Sequence, residues 1–288
     1  MSDFDIRSEA FRAILRPDSK LQKLAGDFKF TEGPVWVAKE GHLLFSDIPA
    51  NRIYRWSPKE GLSVWREPTG NTNGNTLDRQ GRLISCERSN RRVTRTEADG
   101  RITVLADSFG GKRLNSPNDV VVKSDGTIWF TDPPYGIKPE QIEQPHNYVF
   151  RLDPDGKLTP VADDFDRPNG LCFSPDESLL YIADSSARHH VRVFRVTPDN
   201  TLAEGRLFAT IEPGAPDGMR VDIAGRLYST AGDGVHVYAP SGELLGKILV
   251  PERPANCAFG DVDKRTLYIT ARTSLYAIRL AATGAQRP

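Results

Sequence analysis

One unit recurs six times along the 288 residues, a polar opening followed by an apolar strand, a turn and a second strand. It predicts an all-β fold, a six-bladed β-propeller. Three observations carry that prediction. The openings fall at 32, 73, 118, 169, 217 and 256, at spacings of 41, 45, 51, 48 and 39 residues. Up to four short strands fit within each period, which is the content of a propeller blade. The 24 glycines and 21 prolines supply turns throughout and leave little room for long helices.

Residues 1–20 read as an N-terminal extension. Ile6, Ala10, Phe11, Ile14 and Leu15 recur near one helical face there and predict a short amphipathic helix over 5–15, outside the propeller. Residues 21–288 read as a single propeller domain. The first blade opens at 31–36, with further strands at 52–56 and 62–65. The next four open with the pairs 73–78 and 81–85, 118–123 and 126–130, 169–174 and 178–182, and 217–222 and 225–229. Turn pairs such as Asp125-Gly126 favour tight hairpins between them. The sixth unit supplies only 257–260, 266–270 and 275–280, so a strand at 24–30 is expected to complete it and close the ring.

Thirty-eight Lys and Arg balance thirty-eight Asp and Glu, which argues against a nucleic acid or an anionic membrane as partner. No apolar run approaches the ~18 residues of a membrane span. The first twenty residues carry charges throughout, so a cytoplasmic protein is expected. Cys86, Cys172 and Cys257 are widely separated and read as buried thiols. His189 and His190 lie in a charged loop before a strand, without a third metal partner, and read as solvated surface. No GxSxG elbow, cysteine–histidine pair or glycine-rich phosphate loop suits covalent or phosphate chemistry, and a metal-assisted route is what remains.

In a propeller the innermost strand of every blade starts at the same end of the central channel. Glu32, Asn73, Asn118, Asn169, Asp217 and Asn256 are therefore expected to form a ring there. Asn and Asp also start turns for local reasons, but Glu does not favour turns. Six oxygen-bearing groups on one rim suit a hard divalent cation. Ca2+ comes first, with Zn2+, Mg2+ and Mn2+ left open, since softer metals ordinarily recruit His or Cys. Positions 14 or 15 residues further on are Asp47, Glu87, Asp132, Asp184, Ala231 and Thr270. They are expected as a second, mainly acidic ring that makes the mouth electronegative.

Segments 32–36, 44–49, 116–120, 130–136, 167–171 and 216–219, in this order and spacing, carry a family resemblance. The chain resembles the senescence marker protein, gluconolactonase and luciferin-regenerating-enzyme-like propellers over about residues 22–280, and their bacterial gluconolactonase branch above all. The resemblance implies that Glu32, Asn169 and Asp217 hold a divalent ion, with Asn118 as a fourth ligand or a substrate contact. Asn73 and Asn256 are not carried over as ligands. It further implies hydrolysis of sugar lactones, with Asp217 as general base toward water. Asn118, Arg113, Asn115, Glu87 and Tyr135 are expected to contact the sugar. A small-molecule lactone is the expected partner, and the oligomeric state is left open. Two alternatives stand beside this reading: an aryl-lactonase or phosphotriesterase that uses a metal in the same architecture, and a non-enzymatic propeller that binds a partner.

Overall fold

In the computed structural model, which describes residues 3–285, the repeats form six antiparallel sheets in chain order. The innermost strands of blades I to VI are Thr31–Val37, Thr72–Leu77, Val120–Val122, Pro168–Phe173, Met219–Val221 and Asn256–Gly260. Side chains alternate between the two faces of each blade, so Leu43 and Phe45 pack toward blade VI while Leu44 packs toward blade II. The core consists of six apolar layers, one between each pair of neighbouring blades. Cys86, Cys172 and Cys257 are buried free thiols within these layers. Among the described residues no helix is long and apolar enough to cross a membrane.

The ring closes as the missing sixth-blade strand requires, but with a shorter segment than 24–30. Gln22–Ala25 pairs antiparallel with Ser274–Arg279, Gln22 opposite Ala277 and Ala25 opposite Leu275. Asp27, at φ +65°, then turns the chain out of the sheet and into blade I. The N-terminal segment also departs from expectation. Phe4–Ile6 is a fifth strand of blade V, paired with Leu244–Leu249. Only Glu9–Arg12 is helical, started by Ser8, whose Oγ accepts from Phe11 N at 3.1 Å. Phe11 and Ile14 are buried in the layer between blades V and VI, because the apolar face of this turn covers that layer's outer edge.

The blades are stitched together near the channel by hydroxyls on or just after their second strands. Ser46 Oγ donates to the Asn73 carbonyl at 2.8 Å, Thr131 Oγ1 to Asn169 O at 2.8 Å, Ser185 Oγ to Pro216 O at 2.5 Å and Thr230 Oγ1 to Ala255 O at 3.1 Å. Each bond runs from one blade to the opening of the next. The polar openings are thereby held in a fixed ring.

Candidate active site

Backbone irregularity aims the ring inward. The pairing of the first two strands shifts register between Glu32 and Val35, between Thr72 and Asn75, and between Pro168 and Leu171. Such bulges turn a side chain out of the regular pleat. Gly33 takes φ +52°, and a Cβ there would stand 2.2 Å from the Asn73 carbonyl oxygen. Gly170 approaches Asp217 O equally closely. Glycine after a ring residue is what lets the neighbouring blade come this near.

Glu32, Asn118, Asn169 and Asp217 line one cavity of about 550 Å³ at the channel mouth, together with Asn73, Tyr135 and Ser185. Glu32, Asn118 and Asn169 are buried, while Asp217 retains some exposure through the mouth. The amides form a directed chain. Asn73 Nδ2 donates to Asn118 Oδ1, Asn118 Nδ2 to Asn169 Oδ1 at 2.7 Å, and Asn169 Nδ2 to Ser185 Oγ at 2.9 Å. Glu32 Oε2 accepts from Gly33 N at 2.7 Å and from Asn256 Nδ2 at 3.0 Å. Asn73 and Asn256 thus act as holders of their neighbours.

Burial, followed by the charge of Asp119, pushes the Glu32 carboxyl up to about 7. Burial, followed by the charge of Glu32, raises Asp217 well above the usual carboxylate range. Two carboxylates that face one solvent-poor cavity repel each other, and a cation between them would reverse the effect. The donor set fits such an ion. It combines two carboxylates with two amide oxygens, each oxygen keeping a lone pair beyond its hydrogen bond, which is the chemistry of a hard divalent cation. Among the described residues no three His, Cys, Asp or Glu side chains are grouped to hold a metal ion, so amide oxygens would have to complete a cation's set of donors. Asp119 and Arg220, both buried and 3.9 Å apart, lie near Glu32 and were not singled out by the repeat pattern.

Of the residues expected to contact the sugar, Asn118 and Tyr135 line the cavity and Arg113, Asn115 and Glu87 do not. Glu87 is held within blade II by Arg92 Nε at 2.7 Å and Thr94 Oγ1 at 3.0 Å. Asn115 is buried, its amide donating to Asp132 O and Asn147 Oδ1, both at 3.2 Å. Arg113 lies in a neighbouring surface depression, where its guanidinium donates to Asn90 O at 3.0 Å. His190 begins a strand instead of lying in a loop, and both it and His189 are half-buried.

The second ring is corrected. Asp47 accepts from Lys29 N and Phe30 N, Asp132 from Asn115 N and Ser116 N, and Asp184 from Asp166 N and Arg167 N. These carboxylates tie down the backbone entering blades I, III and IV and do not line the cavity. Residues just beyond them reach the mouth instead: Ile48, Pro49, Arg88, Tyr135, Ser185 and Arg272. Shifting the repeat register by one residue finds Ile48, Arg88 and Ser185, since adjacent residues in an extended chain point to opposite sides.

Fold and site together define a six-bladed propeller with a carboxylate-and-amide centre at its channel mouth. The chain belongs to the SMP-30/gluconolactonase/LRE-like family, whose region matches residues 30–273. It is 34% identical to a gluconolactonase of Zymomonas mobilis over 94% of this chain and 84% of that protein. It is 32% identical to the pentonolactonase XacC of Haloferax volcanii, over 83% of this chain and 80% of the relative. A gluconolactonase structure from Xanthomonas campestris superposes with a TM-score of 0.91 at 40% identity, covering 96% of this chain and 94% of that one.

Proposed function

We propose that the protein is a lactone hydrolase of the gluconolactonase type. It works with one divalent cation, Ca2+ first, held by Glu32, Asn118, Asn169 and Asp217. The observation that carries this reading is the convergence of these four side chains, from four blades, on one cavity. The lactonase names of the relatives support it. A cation at this place supplies polarisation of the lactone carbonyl and a lowered pKa for water.

The chain's own groups do the rest. Asp217 faces the cavity and takes a proton from the attacking water as the carbon–oxygen bond forms. The bond from the carbonyl carbon to the ring oxygen then breaks, and that oxygen leaves as a hydroxyl on receiving the proton. Asn118, fixed between Asn73 and Asn169, holds its amide toward the ion or the sugar. Burial, and then the charge of Asp217, pushes the Tyr135 phenol up to about 12, so it stays neutral and able to donate a hydrogen bond. Phe30, Ile48 and Pro49 give the cavity an apolar wall for a ring face.

The test is an assay of stripped and metal-reloaded protein on glucono-1,5-lactone, an aryl lactone and a phosphotriester. Opening of the sugar lactone that returns with one equivalent of metal is expected. Faster turnover of the aryl lactone or phosphotriester would shift the substrate class, and no hydrolysis by metal-loaded protein would overturn the assignment.

A further inference from the structure

Lys29, Arg88, Arg253 and Arg272 line the same cavity as Glu32 and Asp217. Many arginines of this chain sit against a carboxylate, as Arg82 does at 2.7 Å from Asp78 and Arg226 at 2.6 Å from Asp222. Among the described residues, none of the four mouth cations has a carboxylate oxygen within 4 Å. Arg88 is half-buried, and the loop of blade III is shaped around it. Gly136, at φ +82°, lies so close that a Cβ there would stand 1.7 Å from the Arg88 Nε. Arg253 comes near enough to Asp217 to oppose the effect of burial on its carboxyl. Just outside the lining, the Arg167 guanidinium lies 5.4 Å from the centre of the Tyr135 ring.

Among the residues that line the cavity four carry a positive charge and two are carboxylates, and a divalent ion on the carboxylates would add to that excess. That excess opposes loading of the ion. A neutral sugar offers no compensation, because its hydroxyls are served equally well by uncharged amides. An anionic group on the substrate does compensate. Guanidinium forks bind phosphate, sulfonate and carboxylate oxygens by paired, charge-assisted hydrogen bonds.

We propose that the substrate is a lactone bearing a second anionic group, remote from the ring carbonyl, which Arg88 and Arg253 receive with support from Lys29 and Arg272. This names the substrate class of the lactonase site and rests on that reading. The anion is an oxyanion, and the arms of the test separate phosphate from carboxylate.

The experiment compares kcat/KM of the metal-loaded enzyme on glucono-1,5-lactone, on its 6-phosphate and on the analogue with a carboxylate at C6, at low and high salt. Calorimetry with gluconate and 6-phosphogluconate reads binding without turnover. At least one charged lactone is expected to be preferred by about tenfold or more, with the preference shrinking as salt rises. Arg88→Gln and Arg253→Gln should each lower the charged-to-neutral ratio by about tenfold, with melting curves confirming the fold. If either variant misfolds, the salt dependence and the calorimetry of the unaltered enzyme decide. Equal or better turnover of the neutral lactone, with no tighter binding of the charged acid, overturns the inference and leaves the lactonase reading intact. Hydrolysis of none of the lactones overturns both.

Discussion

Asn256 and Glu32, 224 residues apart, are joined by one hydrogen bond from Asn256 Nδ2 to Glu32 Oε2 at 3.0 Å. The bond spans the seam where blade VI meets blade I. Asn256 Oδ1 accepts from Cys257 N at 2.9 Å, which fixes which end of the amide faces the carboxylate. Asn256 therefore orients a candidate ligand. Asn256→Ala should weaken metal affinity by about 10–100-fold while the stoichiometry stays at one ion. Titration calorimetry reads both quantities, and unchanged affinity would remove the orienting role.

Metal binding should compete with protons near neutrality. The Glu32 carboxyl is pushed up to about 7 in the metal-free protein, from an ordinary value of 4.5. Below about pH 7 an ion has to displace that proton, so affinity should fall by about tenfold per pH unit for each proton released. A folded-state pKa raised above the unfolded value contributes stability that is fully present below pH 4.5 and is lost as pH rises through about 7. The metal-free protein should consequently melt lower at about pH 8 than at about pH 5.5. In Glu32→Gln this slope should flatten, and the added metal should raise the melting temperature much less than in the unaltered protein. Parallel slopes for the two proteins would assign the pH dependence elsewhere.

The N-terminal turn contributes to the stability of the propeller itself. Phe11 is fully buried between blades V and VI, and the preceding strand extends blade V. Phe11→Ala should cost about 3–5 kcal/mol, measured by urea unfolding, because the cavity left behind is bounded by two rigid sheets. A loss below about 1 kcal/mol would mean that the segment adheres without being part of the core.

The repeat period made the inner ring legible, because one residue per blade must start at the same end of the channel. Glu32, Asn118, Asn169 and Asp217 accordingly share one cavity. The seam was legible too, since the last blade is short by one strand. Strand pairing predicts which end of a blade a residue reaches but not which way its side chain turns, and so Asp47, Asp132 and Asp184 were placed in the mouth when they hold backbone amides. Arg253 and Arg272 stand in irregular segments between strands, where no period marks them, and Arg88 lies one residue beyond the repeat position at Glu87. The three-residue strand Phe4–Ile6 is too short to display alternation, and its partner lies some 240 positions away along the chain.

Asp217 is asked to fill two roles that oppose each other, since a carboxylate bound to a cation is a weak base. One substitution separates them. Asp217→Asn keeps an oxygen donor of the same shape and removes both the charge and the basic site. Metal affinity should fall, and the rate of lactone opening should fall further, by about 10²–10⁴-fold, the ordinary worth of general-base assistance. The decisive comparison is made at metal concentrations that calorimetry shows to saturate the variant. A rate that stays low there assigns the proton to Asp217. Recovery of the full rate would make Asp217 a ligand only, and the attacking water would then lose its proton to another group at the mouth.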